Sequence, residues 1–125
     1  MKLEYTLTIP IEPVTKKNSQ QIIQVKGRAM IIPSKKYKEY EREVMNYLIF
    51  SKVMGIDYPV NVECHFYMAT RRKCDLTNLL EAVDDVLVKA GILQDDNYTI
   101  IQSHDRSRVH YDKENPRTEI YILEV

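Results

Sequence analysis

Residues 71–96 read RRKCDLTNLLEAVDDVLVKAGILQDD: three cations, an aspartate, a run of spaced acids and a closing pair of aspartates. Carboxylates hold divalent metal ions and cations hold phosphates, and metal-assisted cleavage of a phosphodiester needs both within a few ångströms. No other part of the chain offers comparable chemistry. Asp75 follows the triplet Arg71, Arg72 and Lys73 at a position where aspartate commonly caps a helix, so capping is its plain structural reading. Asn78, Glu81 and Asp85 recur at i, i+3 and i+7 and share one helical face, with Asp84 on its flank. Asp95 and Asp96, followed by Asn97, have the composition of a turn. Together these acids exceed what a cap and a turn require, and they repel one another unless a cation is near. Magnesium fits, because it takes oxygen ligands, commonly one or two carboxylates completed by water and substrate phosphate. Arg71, Arg72 and Lys73 would then clamp the phosphate.

The elements that must position this window follow from periodicity. Lys2 to Ile9 alternates as a half-buried strand, with Leu3, Tyr5, Leu7 and Ile9 on one side. Pro10 and Pro13 end it, and the segment VTKKNSQ leads to two short β-branched runs, 21–25 and 29–32, joined at Lys26-Gly27 as a hairpin. Ser34 can cap a helix over residues 35–51 whose apolar face is Tyr37, Tyr40, Val44, Tyr47 and Leu48. Val60 to Met68 is the cleanest strand and delivers the chain to Arg71. Leu76, Leu79, Leu80, Val83, Leu87 and Ala90 then keep helical spacing up to Gly91, a residue suited to a left-handed helix end. Residues 98–103 and 118–125 are the last expected strands. The expectation is one mixed α/β (α+β) domain over residues 1–125, with a single sheet of about four to six strands and two main helices.

Composition narrows the field. At 44% hydrophobic and 29% charged, the chain has the make-up of a globular domain. No run of about 18 apolar residues suggests a membrane span, and the alternating start is unlike a signal peptide, so a cytoplasmic protein is expected. Cys64 and Cys74 match no zinc ligand set and read as reduced structural thiols. His65, His104 and His110 likewise match no zinc spacing and read as surface or structural histidines. The formal net charge is zero, but residues 1–54 carry ten Lys and Arg against five acids, while residues 55–97 carry four against eight. A basic arm therefore precedes an acidic centre. Lys16, Lys17, Lys26 and Arg28 can grip a polyanion, with Arg106, Arg108 and Arg117 as further phosphate contacts.

The run D-L-T-N-L-L-E-A-V-D-D-V-L-x-K-A-G-x-L-x-D-D resembles the signature of the RusA family of Holliday junction resolvases, found in phages, prophages and bacteria. The segments TIPIEPVTKKNS, SHDRSRVHYD and NPRTEIYILEV resemble the ends of such proteins. The resemblance implies a homodimeric, magnesium-dependent endonuclease, with manganese as an alternative ion, that nicks four-way DNA junctions symmetrically during recombination and repair. It also implies catalytic aspartates at Asp75 and Asp96, with Asp95 beside the latter as a metal residue. Two departures stand out. The family pattern reads D-L-D-N where this chain has Thr77, and it carries a catalytic lysine where this chain has Glu81. Glu81 lies one turn beyond Thr77, so its carboxylate can return the lost charge to the same metal, with Lys73 or Lys89 supplying the missing cation. A junction-binding protein without cleavage is the alternative that these two residues support.

Helix length sets a further condition. A helix over 76–90 is about 22 Å long, and the step from Gly91 to Asp96 spans roughly 17 Å at most. Asp96 can only just return to Asp75 unless the helix ends early, the chain doubles back, or a second subunit completes the site. In a two-fold dimer, the apolar strand at Ile120 to Leu123 and the tyrosine-rich first helix are candidate contact surfaces, with burial in the monomer core as the plainer reading.

Overall fold

The alternation at Val60 to Met68 becomes the strand around which the rest of the domain is arranged. The computed structural model describes residues 1–15 and 20–125. Its elements are β1 (Lys2–Ile9), β2 (Gln20–Val25), β3 (Arg28–Pro33), α1 (Lys35–Phe50), β4 (Val60–Met68), α2 (Leu76–Lys89), β5 (Ile101–Ser103), β6 (Arg108–Tyr111) and β7 (Arg117–Glu124). The main sheet runs β1-β7-β4-β5, with β6 also on β4. β7 is antiparallel to both β1 and β4, while β5 and β6 lie parallel to β4 on its other edge. The fold is α+β, and β2–β3 forms a separate two-stranded sheet.

Register explains the core. Rows Leu7–Ile120–Cys64 and Ile9–Thr118–Phe66 cross the sheet on one face. That face joins Tyr37, Tyr40, Val44 and Leu48 of α1 and Leu79, Ala82, Val83, Val86 and Leu87 of α2 in one buried cluster. Ile120 and Ile122 are fully buried, so the apolar run of β7 is monomer core and not a free contact surface. In α1, Tyr37 and Tyr40 are also buried, which leaves Tyr47 as its exposed tyrosine. A bulge between Leu3 and Tyr5 breaks the parity of Leu3 with Leu7 and Ile9, and Leu3 is exposed.

The opposite face carries half-buried polar side chains that satisfy one another. His65 Nε2 lies 2.7 Å from Glu63 Oε2, and His65 Nδ1 lies 2.8 Å from His110 Nε2. His110 stacks on Tyr67, whose ring also receives the Arg117 guanidinium at 3.7 Å. Arg117 is further paired with Asp112 and Glu119, so it consolidates the sheet and is not left for phosphate.

Two expectations change. Residues 98–100 form a turn, not the start of a strand, because the Asn97 side chain accepts from the Thr99 amide and its carbonyl accepts from Ile100 and Ile101. Strand β6 was not expected; with a single aliphatic residue, Val109, it has no hydrophobic alternation to betray it. Between β5 and β6 the chain holds one more residue than the β4 stretch it faces, and this bulge is stitched by side chains. The fully buried Asn61 accepts from the Asp105 amide and donates to the Asp105 carbonyl, and the Cys64 amide donates to Ser107 Oγ.

Candidate active site

Asp75 occupies the N-cap position of α2, but its side chain caps no backbone amide. Its carbonyl takes the first helical hydrogen bonds, while Oδ2 accepts from Asn78 Nδ2 at 3.3 Å. The carboxylate is exposed at the helix entrance, so capping does not account for it.

Before this helix start lies a basic cleft of about 200 Å³, lined by Lys36, Arg72, Lys73, Thr15 and Thr70 among others. Arg71 turns away from it and sits 4.0 Å over the Tyr111 ring. Beyond the helix start lies a second cleft, of about 250 Å³, lined by Thr77, Leu80, Glu81, Asp84, Asp96 and His104. Asp75 stands at the helix entrance and lines neither cleft. Cationic and carboxylate side chains thus flank the entrance of one helix.

Asp96 reaches the second cleft because the chain doubles back. Gly91 adopts φ +75, and the amides of Ile92 and Leu93 both donate to the Leu87 carbonyl, closing the helix in a tight reversal. Leu93 then bridges Ile56, and Gln94 donates to the Ile56 carbonyl, which anchors the returning segment. It delivers Asp96 alongside the middle of α2, next to Thr77, Glu81 and Asp84. Asp75 is not among the cleft's lining residues.

Of the acids on this side of α2, Glu81 and Asp84 line the cleft and Asp85 does not. Thr77, Glu81 and Asp84 follow at i, i+4 and i+7, the stripe one residue removed from Asn78 and Asp85. Asp95 is also outside. Its Oδ1 accepts from the Asp96 amide at 2.7 Å and its Oδ2 from Asn97 at 3.0 Å, bonds that hold its carboxyl below the usual range and shape the turn presenting Asp96. Lys89 forms an ion pair with Glu41 at 2.7 Å, which leaves Lys73 as the cation at the helix entrance.

His104 contributes what the sequence did not reveal. Its Nδ1 lies 2.8 Å from the Val62 carbonyl, which can only accept, so Nδ1 carries the hydrogen. Nε2 therefore meets Asp84 Oδ2, 2.9 Å away, across a single shared proton. Burial raises the Asp84 pKa, the His104 contact opposes this, and the charge of Asp96 raises it again. On His104 burial opposes the charged form, but the bond to Asp84 outweighs it and the pKa is raised. Asp84 Oδ1 is buried without a hydrogen-bond partner. An anionic oxygen in that state calls for a cation or a proton.

This donor set fits magnesium. The oxygens available to such an ion are the hard donors of Asp84, Asp96, Glu81 and Thr77 that line the cleft, and an orphaned carboxylate oxygen stands among them. Among the described residues no group of three or more His, Cys, Asp or Glu side chains is gathered around a metal position. Of the polyanion contacts, Lys26 and Arg28 are exposed at the β2–β3 tip, and Arg106 and Arg108 are exposed at and after the bulge. Lys16 and Lys17 lie outside the described residues.

A family model described as endodeoxyribonuclease RusA matches residues 10–123. The chain belongs to the RusA family. A crossover junction endodeoxyribonuclease RusA of Aquifex aeolicus (strain VF5) is 30% identical over 102 residues, covering 82% of this chain and 79% of the relative. Its counterpart in Shigella sonnei (strain Ss046) is 29% identical over 93 residues, covering 74% and 73%. Within this RusA-family chain both departures from the family pattern, Thr77 and Glu81, line the same cleft as Asp96. No helix among the described residues is long and apolar enough to cross a membrane.

Proposed function

We propose that this RusA-family chain is a magnesium-dependent endodeoxyribonuclease that resolves Holliday junctions and related branched DNA by paired symmetric nicks, acting as a cytoplasmic homodimer. The observation that carries this reading is the pair of clefts flanking the start of α2, one cationic and one carboxylate-lined. Lys36, Arg72 and Lys73 bind the phosphates beside the scissile bond. Asp96 and Glu81, with Asp84 held by His104, supply the oxygens for the ion, and Asp75 completes them from the helix entrance. When bound, magnesium supplies charge stabilisation at the phosphate and lowers the pKa of a water. Thr77 contributes only a neutral hydroxyl, and Glu81 restores the charge one turn further on. The names of both relatives, crossover junction endodeoxyribonucleases, support the choice of substrate.

Purified protein is incubated with a labelled four-way junction, with and without magnesium. Metal-dependent nicking that disappears in Asp75→Asn and in Asp96→Asn is expected. Glu81→Gln is expected to weaken both nicking and magnesium affinity, and unchanged values would defeat the compensation by Glu81. A second reading, junction binding without cleavage, is favoured by Thr77 and by the absence of a gathered three-ligand group among the described residues. Tight junction binding with no nicking in magnesium or manganese would establish it.

A further inference from the structure

The β2–β3 hairpin is the part of the molecule that its own fold least explains. It pairs with no strand of the main sheet, and none of the described residues from Ile22 to Ile32 joins the core. A lone two-stranded hairpin is at best marginal in water. This one closes tightly, with Lys26 at φ 52 and Gly27 at φ 77, the left-handed pair of a type I′ turn. Yet it spends its side chains on solvent: Ile22 and Ile31, directly opposite each other, are 72% and 66% exposed. Met30 and Val25 on the other face are 47% and 40% exposed. Apolar residues on both faces of a thin projection have no use in a monomer.

Charge narrows the occupant. From Pro13 to Lys38 the sequence carries seven Lys and Arg and no Asp or Glu, and Lys26 and Arg28 stand exposed at the hairpin tip. A second copy of the chain would bring the same cations to the contact. Branched DNA offers the complement. Phosphates line its arms, and where the strands exchange, base pairs lose a stacking neighbour and expose apolar faces. Isoleucine and methionine are among the side chains that enter such steps, and the few kcal/mol of unstacking is least where stacking is already broken.

We propose that the β2–β3 hairpin is a branch-point wedge, with Ile22 and Ile31 covering unstacked base faces at the junction centre while Lys26 and Arg28 hold the flanking phosphates. This rests on the junction reading above, and the experiment separates the two. A four-way junction with 2-aminopurine at its centre, and a linear duplex of equal length, are titrated with the full chain in EDTA. Wild-type protein is expected to raise the emission and to prefer the junction. Ile22→Ser with Ile31→Ser should abolish the rise and cut the preference about tenfold. Because these side chains lie outside the core, that variant keeps the wild-type melting temperature. Ile22→Leu with Ile31→Leu should restore both signals. A serine variant with unchanged emission and preference overturns the wedge, as does one whose lost preference accompanies dissociation of a dimer in sedimentation. Junction preference without any emission rise in wild type also overturns it while sparing the junction reading; failure to bind either DNA removes that reading itself.

Discussion

His110 ends the hydrogen-bonded row that begins at Glu63, and its environment makes it reluctant to take a proton. Burial lowers its pKa below the usual 6.5, and the neighbouring His65 and Arg108 lower it further. As pH falls through 6.5 the unfolded chain binds this proton first, so folding stability drops until the folded value is passed. Urea denaturation between pH 5 and pH 8 should show that slope, reduced in His110→Gln; equal slopes in both proteins would contradict it. Near the cleft, His104→Gln releases the Asp84 carboxylate and should weaken magnesium binding about 10–100-fold, measured by calorimetry. Asp75 and Asp96 were legible in the sequence through motif and charge. Asp84 with His104 was not, because the two are 20 residues apart and the histidine fits no metal spacing. The available signal was the stripe from Thr77 through Glu81 to Asp84, one residue away from the stripe that the asparagine and Asp85 suggested.

At the scale of elements, the helix end decides whether the site exists. Gly91 is left-handed with open space around its missing side chain, so Gly91→Ala meets no clash and its cost is backbone alone. About 1–2 kcal/mol of stability should be lost, read by urea denaturation with an unchanged slope. The bulge between β5 and β6 is as exacting: Ser107→Ala leaves the Cys64 amide without its partner and should cost about 1–3 kcal/mol. Helices α1 and α2, the hairpin and β4 were readable because period and caps agree there. The 98–103 segment was misread because the Asn97 turn outweighs the β-branched residues after it. The reversal at Gly91 brings Asp96 back beside α2, into a cleft that Asp75 does not line.

For the whole molecule, zero net charge conceals a basic arm at one end and a carboxylate cleft at its centre, so DNA binding should depend on local phosphate contacts. Lys26→Ala with Arg28→Ala should reduce the slope of log affinity against log salt by about 2, whatever the DNA sequence. An unchanged slope would place the hairpin tip away from the backbone. The sheet order carries one more consequence. β7 follows both β1 and β4 in the chain yet lies between them, so those two strands share no neighbour until β7 has been made. Contacts across so long a loop slow folding, since loop-closure entropy is met before any pairing returns it. A chain stopped before Arg117 therefore holds its acidic residues and the strands that pair with β4 on one edge, but lacks the strand that joins β4 to β1.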